Sequence, residues 1–141
     1  MKFEELDPSR TFRVGVNQEI EISHCANVTL EPDEQVTFVT NSGTQYDVAR
    51  KSWGYYATPS TNGRLAQHDL RTALVCNSGN QLYVMLCETS KVNEFESYLK
   101  DQDLQLVTWL DTNQDVLALK AALRKTAPTQ DVSNEQARLA E

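Results

Sequence analysis

Two eleven-residue segments, 36 positions apart, constrain the fold more than any other feature of the chain. Phe38 to Val48 reads FVTNSGTQYDV and Leu74 to Val84 reads LVCNSGNQLYV, with six of the eleven positions identical. Asn41-Ser42-Gly43 and Asn77-Ser78-Gly79 each sit between β-formers. Asparagine bonds its own backbone and glycine takes the positive φ that closes a short reversal, so each segment is predicted to be a β-hairpin. The repeat reads either as a duplicated binding unit or as two hairpins using the same turn chemistry. Two copies are too few for a solenoid or propeller.

The flanking sequence continues the period of two. Phe12, Val14 and Val16 alternate with Arg13 and Gly15, and Ile20 and Ile22 alternate with Glu19 and Glu21, the pattern of half-buried strands joined by a turn at Asn17-Gln18. Ala26, Val28 and Leu30 form a third apolar set, ended by the turn-forming Glu31-Pro32-Asp33-Glu34. Between the hairpins, residues 49 to 72 predict a short strand, an irregular loop over Thr58 to Gly63 and a return strand from near Arg64. The period then becomes helical. Val92, Phe95, Tyr98 and Leu99 share one face of a helix expected from Lys91 to Lys100, with Ser90 as its N-cap. Leu104 to Leu110 reads as a last strand, and Val116 to Leu123 as an amphipathic helix capped by Thr112 or Asn113.

These elements predict a mainly β, α+β protein: an antiparallel barrel or sandwich of about eight strands with one packed helix, or alternatively a two-layer α+β sheet. The expected organisation is an N-terminal arm over 1–10, a β-rich domain over 11–111, a C-terminal helix over 112–126 and a mobile tail over 127–141. At 141 residues such a chain is long enough to bury a single core without metal or disulfide help. Cys25, Cys76 and Cys87 have no CxxC spacing and are odd in number, which predicts reduced thiols packed largely in the interior. No apolar run reaches bilayer length and the acidic N-terminus lacks a leader pattern, so the expected location is cytoplasmic, with no membrane partner.

Charge narrows the partners. The net charge is −7, yet the only positive stretch is Arg50, Lys51, Arg64 and Arg71, within residues 48–72. Nucleic-acid binding draws most of its affinity from a broad basic face, which this chain lacks, so no nucleic-acid partner is expected. The same short stretch contains Trp53, Tyr55 and Tyr56. Aromatic faces stack on sugars or bases, guanidinium and ammonium groups meet phosphate or carboxylate, and Asn62 bonds hydroxyls. Arg50, Lys51, Trp53, Tyr55, Tyr56, Asn62, Arg64 and Arg71 are therefore the candidate ligand-binding residues. Against this stands a structural reading in which at least one aromatic is core and the arginines neutralise neighbouring acids.

For catalysis, His68 beside Asp69 is the candidate acid or base, because an imidazole titrates near neutrality. His24-Cys25 is a weaker pairing. No metal site is expected from two histidines lacking ligand spacing, and no cofactor is expected because phosphate-loop, dinucleotide and nucleophile-elbow motifs are missing. Three functions fit these residues: a small module binding a polar or anionic, sugar-derived ligand; a sugar-derivative isomerase or lyase using His68; or an oligomeric scaffold, with homo-oligomer contacts through the C-terminal helix, whose other option is to cover a sheet edge of its own chain.

Overall fold

The computed structural model describes residues 1–126, so the expected tail over 127–141 lies outside the described residues. The fold is mainly β, with eight strands in three small antiparallel sheets and three α-helices among the described residues. Strands β1 (Lys2–Val14) and β2 (Ile20–Thr29) pair with each other as a two-stranded ribbon. Strands β3 (Gln35–Val39), β4 (Gln45–Lys51) and β5 (Gly54–Ala57) form the second sheet in that order. Strands β6 (Leu70–Asn77), β7 (Leu82–Glu88) and β8 (Leu104–Trp109) form the third, with β6 in the centre. The eight strands stay in separate sheets and close no barrel among the described residues.

Both repeated segments are hairpins, but of their two turn glycines only Gly43 takes the expected positive φ, 89°; in the second turn Asn80 does so instead, at 60°. Val39 pairs with Gln45 across the first turn and Cys76 with Leu82 across the second. The second turn is fastened by side chains: the Gln81 amide donates to Asn77 Oδ1 at 2.9 Å, and Asn77 Nδ2 donates to Gln81 Oε1 at 2.8 Å. In the first, Thr40 takes that part, its hydroxyl accepting from the Thr44 amide at 3.2 Å.

The core sits where the third sheet meets helix α2 (Val92–Asp101). Ala73, Val75 and Leu99 are buried, and Met85, Phe95, Leu104, Leu106 and Trp109 pack against them. The register explains the grouping: Ala73 lies opposite Met85 and Trp109, and Val75 opposite Tyr83 and Leu106, so these side chains share the face toward α2. Each large aliphatic side chain taken fully out of water there contributes about 1.5–3 kcal/mol. The 3₁₀ turn Thr89–Lys91 leads directly from β7 into α2, so the chain lays its helix on the sheet it has just completed. Helix α3 (Asn113–Thr126) starts as expected, the Thr112 hydroxyl accepting from the Asp115 amide at 3.1 Å. None of these helices is long and apolar enough to cross a membrane.

Several details differ from the sequence expectations. Residues 2–10, expected as part of an arm, are the first part of β1: Lys2 to Glu5 and Arg10 pair with β2, residues 6 to 9 do not, and apart from the half-buried Leu6 their side chains are exposed. The sets ending at Ile22 and starting at Ala26 are one continuous strand. The strand expected from Arg64 is instead a single helical turn, α1 (Arg64–Gln67), started by the Ser60 carbonyl accepting from the Leu65 amide at 3.1 Å. Ser90 does not cap α2, because the 3₁₀ turn makes Lys91 the first flanking residue. Of the cysteines only Cys87 is buried; Cys76 is half-buried, Cys25 is exposed, and all three are free thiols.

Candidate functional site

The aromatic and cationic span is distributed over several local structures. Arg50 lies opposite Tyr55, and Ala49 opposite Tyr56, so the two tyrosines project from opposite faces of the second sheet. Trp53 stacks obliquely on Tyr56, with ring centroids 6.0 Å apart. Trp53, Tyr55 and Tyr56 are 70%, 62% and 45% exposed, so none of the three is core.

The cations are largely engaged by acids. Lys51 bonds Asp33, whose carboxylate raises the ammonium's pKa above the ordinary lysine value by hydrogen bond and charge. Arg64 reaches across from α1 to Asp47, 3.3 Å from Nη2 to Oδ2. Asp47 is buried and also accepts from Thr37 Oγ1 at 2.6 Å, so this trio fastens α1 to the second sheet. Arg71 donates from Nε to Asp111 at 2.6 Å, with its guanidinium carbon 3.8 Å from the Trp109 ring centroid. That places Arg71 on the core sheet. Asn62 donates to Asn113 Oδ1 at 2.8 Å, tying the loop before α1 to the start of α3. His68 is exposed at the end of α1, and the following Asp69 has a φ of 59°.

Clefts are formed elsewhere among the described residues. One, about 580 Å³, lies between the tip of the ribbon at Val14 to Val16, the β6–β7 turn and the end of α2, with Tyr83 and Tyr98 in its wall. A second, about 210 Å³, runs from Phe38 and Tyr46 to Leu70 and Leu86, where the second and third sheets approach. A third, about 380 Å³, is lined by the hydroxyls of Ser42, Thr44, Thr89 and Ser90 with Asp69 and Glu88. Of the candidate residues only Asp69 borders any of these three.

The feature that sequence reasoning passed over is the ribbon. Its register sets Phe3 opposite Val28, Phe12 opposite Ile22 and Val14 opposite Ile20, all on one face. Lys2, Glu4, Thr11, Arg13, Glu21, Ser23 and Asn27 take the other face, where Arg13 and Glu21 pair at 3.6 Å. Near its tip the ribbon is held to the body: the Val16 amide donates to Gln102 Oε1 at 2.9 Å, and Val14 and Ile20 are half-buried. Further along, Phe3, Phe12, Ile22 and Val28 are 61%, 42%, 42% and 39% exposed. The alternation from Phe12 to Ile22 is visible in the sequence; the extension of the polar opening residues into a long ribbon is not, because Pro8 and the acids around it argue for irregular chain.

Comparison of the chain with protein-family models, with curated proteins and with solved structures finds no match.

Proposed function

We propose that this protein is a non-catalytic interaction subunit that docks through the apolar face of its β1–β2 ribbon. The observation that carries the reading is that face itself: on one side of a two-stranded ribbon Phe3, Phe12, Ile22 and Val28 are 39–61% exposed, in two apolar clusters with Glu5, Arg10 and His24 between them. An isolated two-stranded ribbon is marginally stable in water, and apolar surface of this kind on a soluble domain marks a contact site.

The test is photo-cross-linking in the cell from two neighbouring positions, with a photoreactive phenylalanine analogue at Phe12 or at Arg13. Adjacent strand residues face opposite ways, so the two probes sample the two faces at one height. Adducts from position 12 and none from position 13 are expected. Equal yields from both, or none from either, overturn the reading.

A second reading rests on Trp53 and Tyr56. Two exposed aromatic rings in contact on one sheet face, with Lys51 on the same face, suit stacking against a sugar ring of an anionic ligand. Here Trp53→Ala should abolish thermal stabilisation by a panel of sugar phosphates while leaving the ligand-free melting temperature within about 2 °C, because an exposed side chain contributes little to the fold. A panel that stabilises the wild type and the variant equally rules this site out.

A further inference from the structure

The ribbon's exposed face carries a pattern that is its own complement, and from it we infer that the occupant is a second copy of this chain, docked ribbon to ribbon across a two-fold axis. The inference rests on the docking function just proposed and adds the partner and the register. Along β1 the face presents Phe3, Glu5, Arg10 and Phe12, with Val28, Ala26, His24 and Ile22 opposite them on β2. Between Glu5 and Arg10, residues 6 to 9 of β1 bulge out against Cys25 alone. The order from base to tip is therefore apolar, acidic, basic, apolar.

A two-fold axis lying in the interface, crossing the ribbon at the level of Cys25, reverses this order and lays β1 over β1. Phe3 then meets the second copy's Phe12, Val28 meets its Ile22, and Glu5 meets its Arg10. Both charges occur twice, so each interface gains two ion pairs between apolar ends. Two sheets stacked in this way lie about 10 Å apart, which suits interdigitated side chains of this size. Glu5 and Arg10 are exposed and take no part in the ion pairs formed among the described residues. Other pairings of the face with itself, such as the same axis placed at Phe12, bring Arg10 away from Glu5 and leave the charges unmatched.

An isologous contact uses the same patch on both copies, and this patch matches itself in polarity and in charge.

Sedimentation equilibrium of the full chain tests the register. The wild type should be a dimer at about 100 µM and dissociate on dilution. Glu5→Arg sets like charges opposite each other and should weaken the dimer at least about tenfold, as should Arg10→Glu; the double variant Glu5→Arg/Arg10→Glu restores the pairs and should return to within about threefold of wild type. All three changes are at exposed positions, so folding is retained and circular dichroism checks it. A wild-type chain that stays monomeric at that concentration overturns the second copy as partner; cross-links from position 12 to a different protein would do the same while the docking function stands. A dimer insensitive to both single swaps overturns the register. If that insensitive dimer also survives Ile22→Asp, the ribbon is not the interface and the proposed function falls with it.

Discussion

The face of the β7-β6-β8 sheet that meets α2 and the apolar face of the β1–β2 ribbon end in different states. In the sheet, Ala73 and Val75 are 0% exposed; in the ribbon, Phe12 and Ile22 are each 42% exposed. Propensity does not separate them, because β-branched and aromatic residues fill both. The difference lies in the next element along the chain. Strand β7 runs into α2, whose Phe95 and Leu99 come down on the sheet, whereas β2 runs into the turn before β3 and no helix is laid on it. An apolar sheet face requires cover, and chain order decides whether the same molecule supplies it.

The largest expected effect breaks the closed region. Leu99→Ala removes the α2 side chain buried at 5% exposure against Ala73 and Val75. It should cost about 2–5 kcal/mol, lost transfer energy plus the cavity left behind. Chemical denaturation measures it. A loss below about 1 kcal/mol would mean that α2 and the sheet do not form the stabilising core, and the comparison would lose one of its sides.

The next effect compares the regions through their thiols. Cys25 lies on the open ribbon and Cys87 is buried in β7. Burial pushes the Cys87 thiol above its ordinary pKa, an effect that Arg71 opposes. A raised pKa means less thiolate at any pH below it, and the thiolate is the species that reacts. At pH 8, with the protein dilute enough to be monomeric, Cys25 should be alkylated at least about tenfold faster than Cys87, a gap that unfolding in urea removes. Tandem mass spectrometry of tryptic peptides reads both sites in one sample, fragmentation separating Cys87 from Cys76 on their shared peptide, residues 72–91. Equal native rates would show that β7 opens as freely as the ribbon.

Much of this contrast is legible in the sequence at the level of elements, and little at the level of contacts. The two Asn-Ser-Gly hairpins, the last strand and both long helices follow from local chemistry: turn residues that favour positive φ, a switch from period two to helical spacing, and a threonine hydroxyl that caps α3. Chain-distant partners are not legible. Arg64 and Asp47, Arg71 and Asp111, and Asn62 and Asn113 are local charges or amides whose roles are set by how the sheets come together. For that reason the sequence groups the four cations of residues 50–71 as one site, while folding spends three of them on acids in different places. The structural reading puts at least one of Trp53, Tyr55 and Tyr56 in the core because alternate strand residues face opposite sides; on and beside the short edge strand β5 all three are exposed.

The smallest effect sharpens the comparison from inside the closed region. Thr72 is 0% exposed on β6, and its Oγ1 has no hydrogen-bond partner among the described residues. A hydroxyl removed from water without a partner carries its desolvation cost uncompensated, whereas valine of nearly the same shape does not. Thr72→Val should therefore stabilise the fold by about 1 kcal/mol. The control is Thr11→Val on the polar face of the ribbon, where the hydroxyl is exposed and the change should stay within about 0.5 kcal/mol. Together the pair asks whether burial, rather than residue type, sets the energetic weight of a strand position in each region. A Thr72→Val variant less stable than wild type would show that the hydroxyl is satisfied in solution, by water reaching β6, and the third sheet would then be less closed than its exposures indicate.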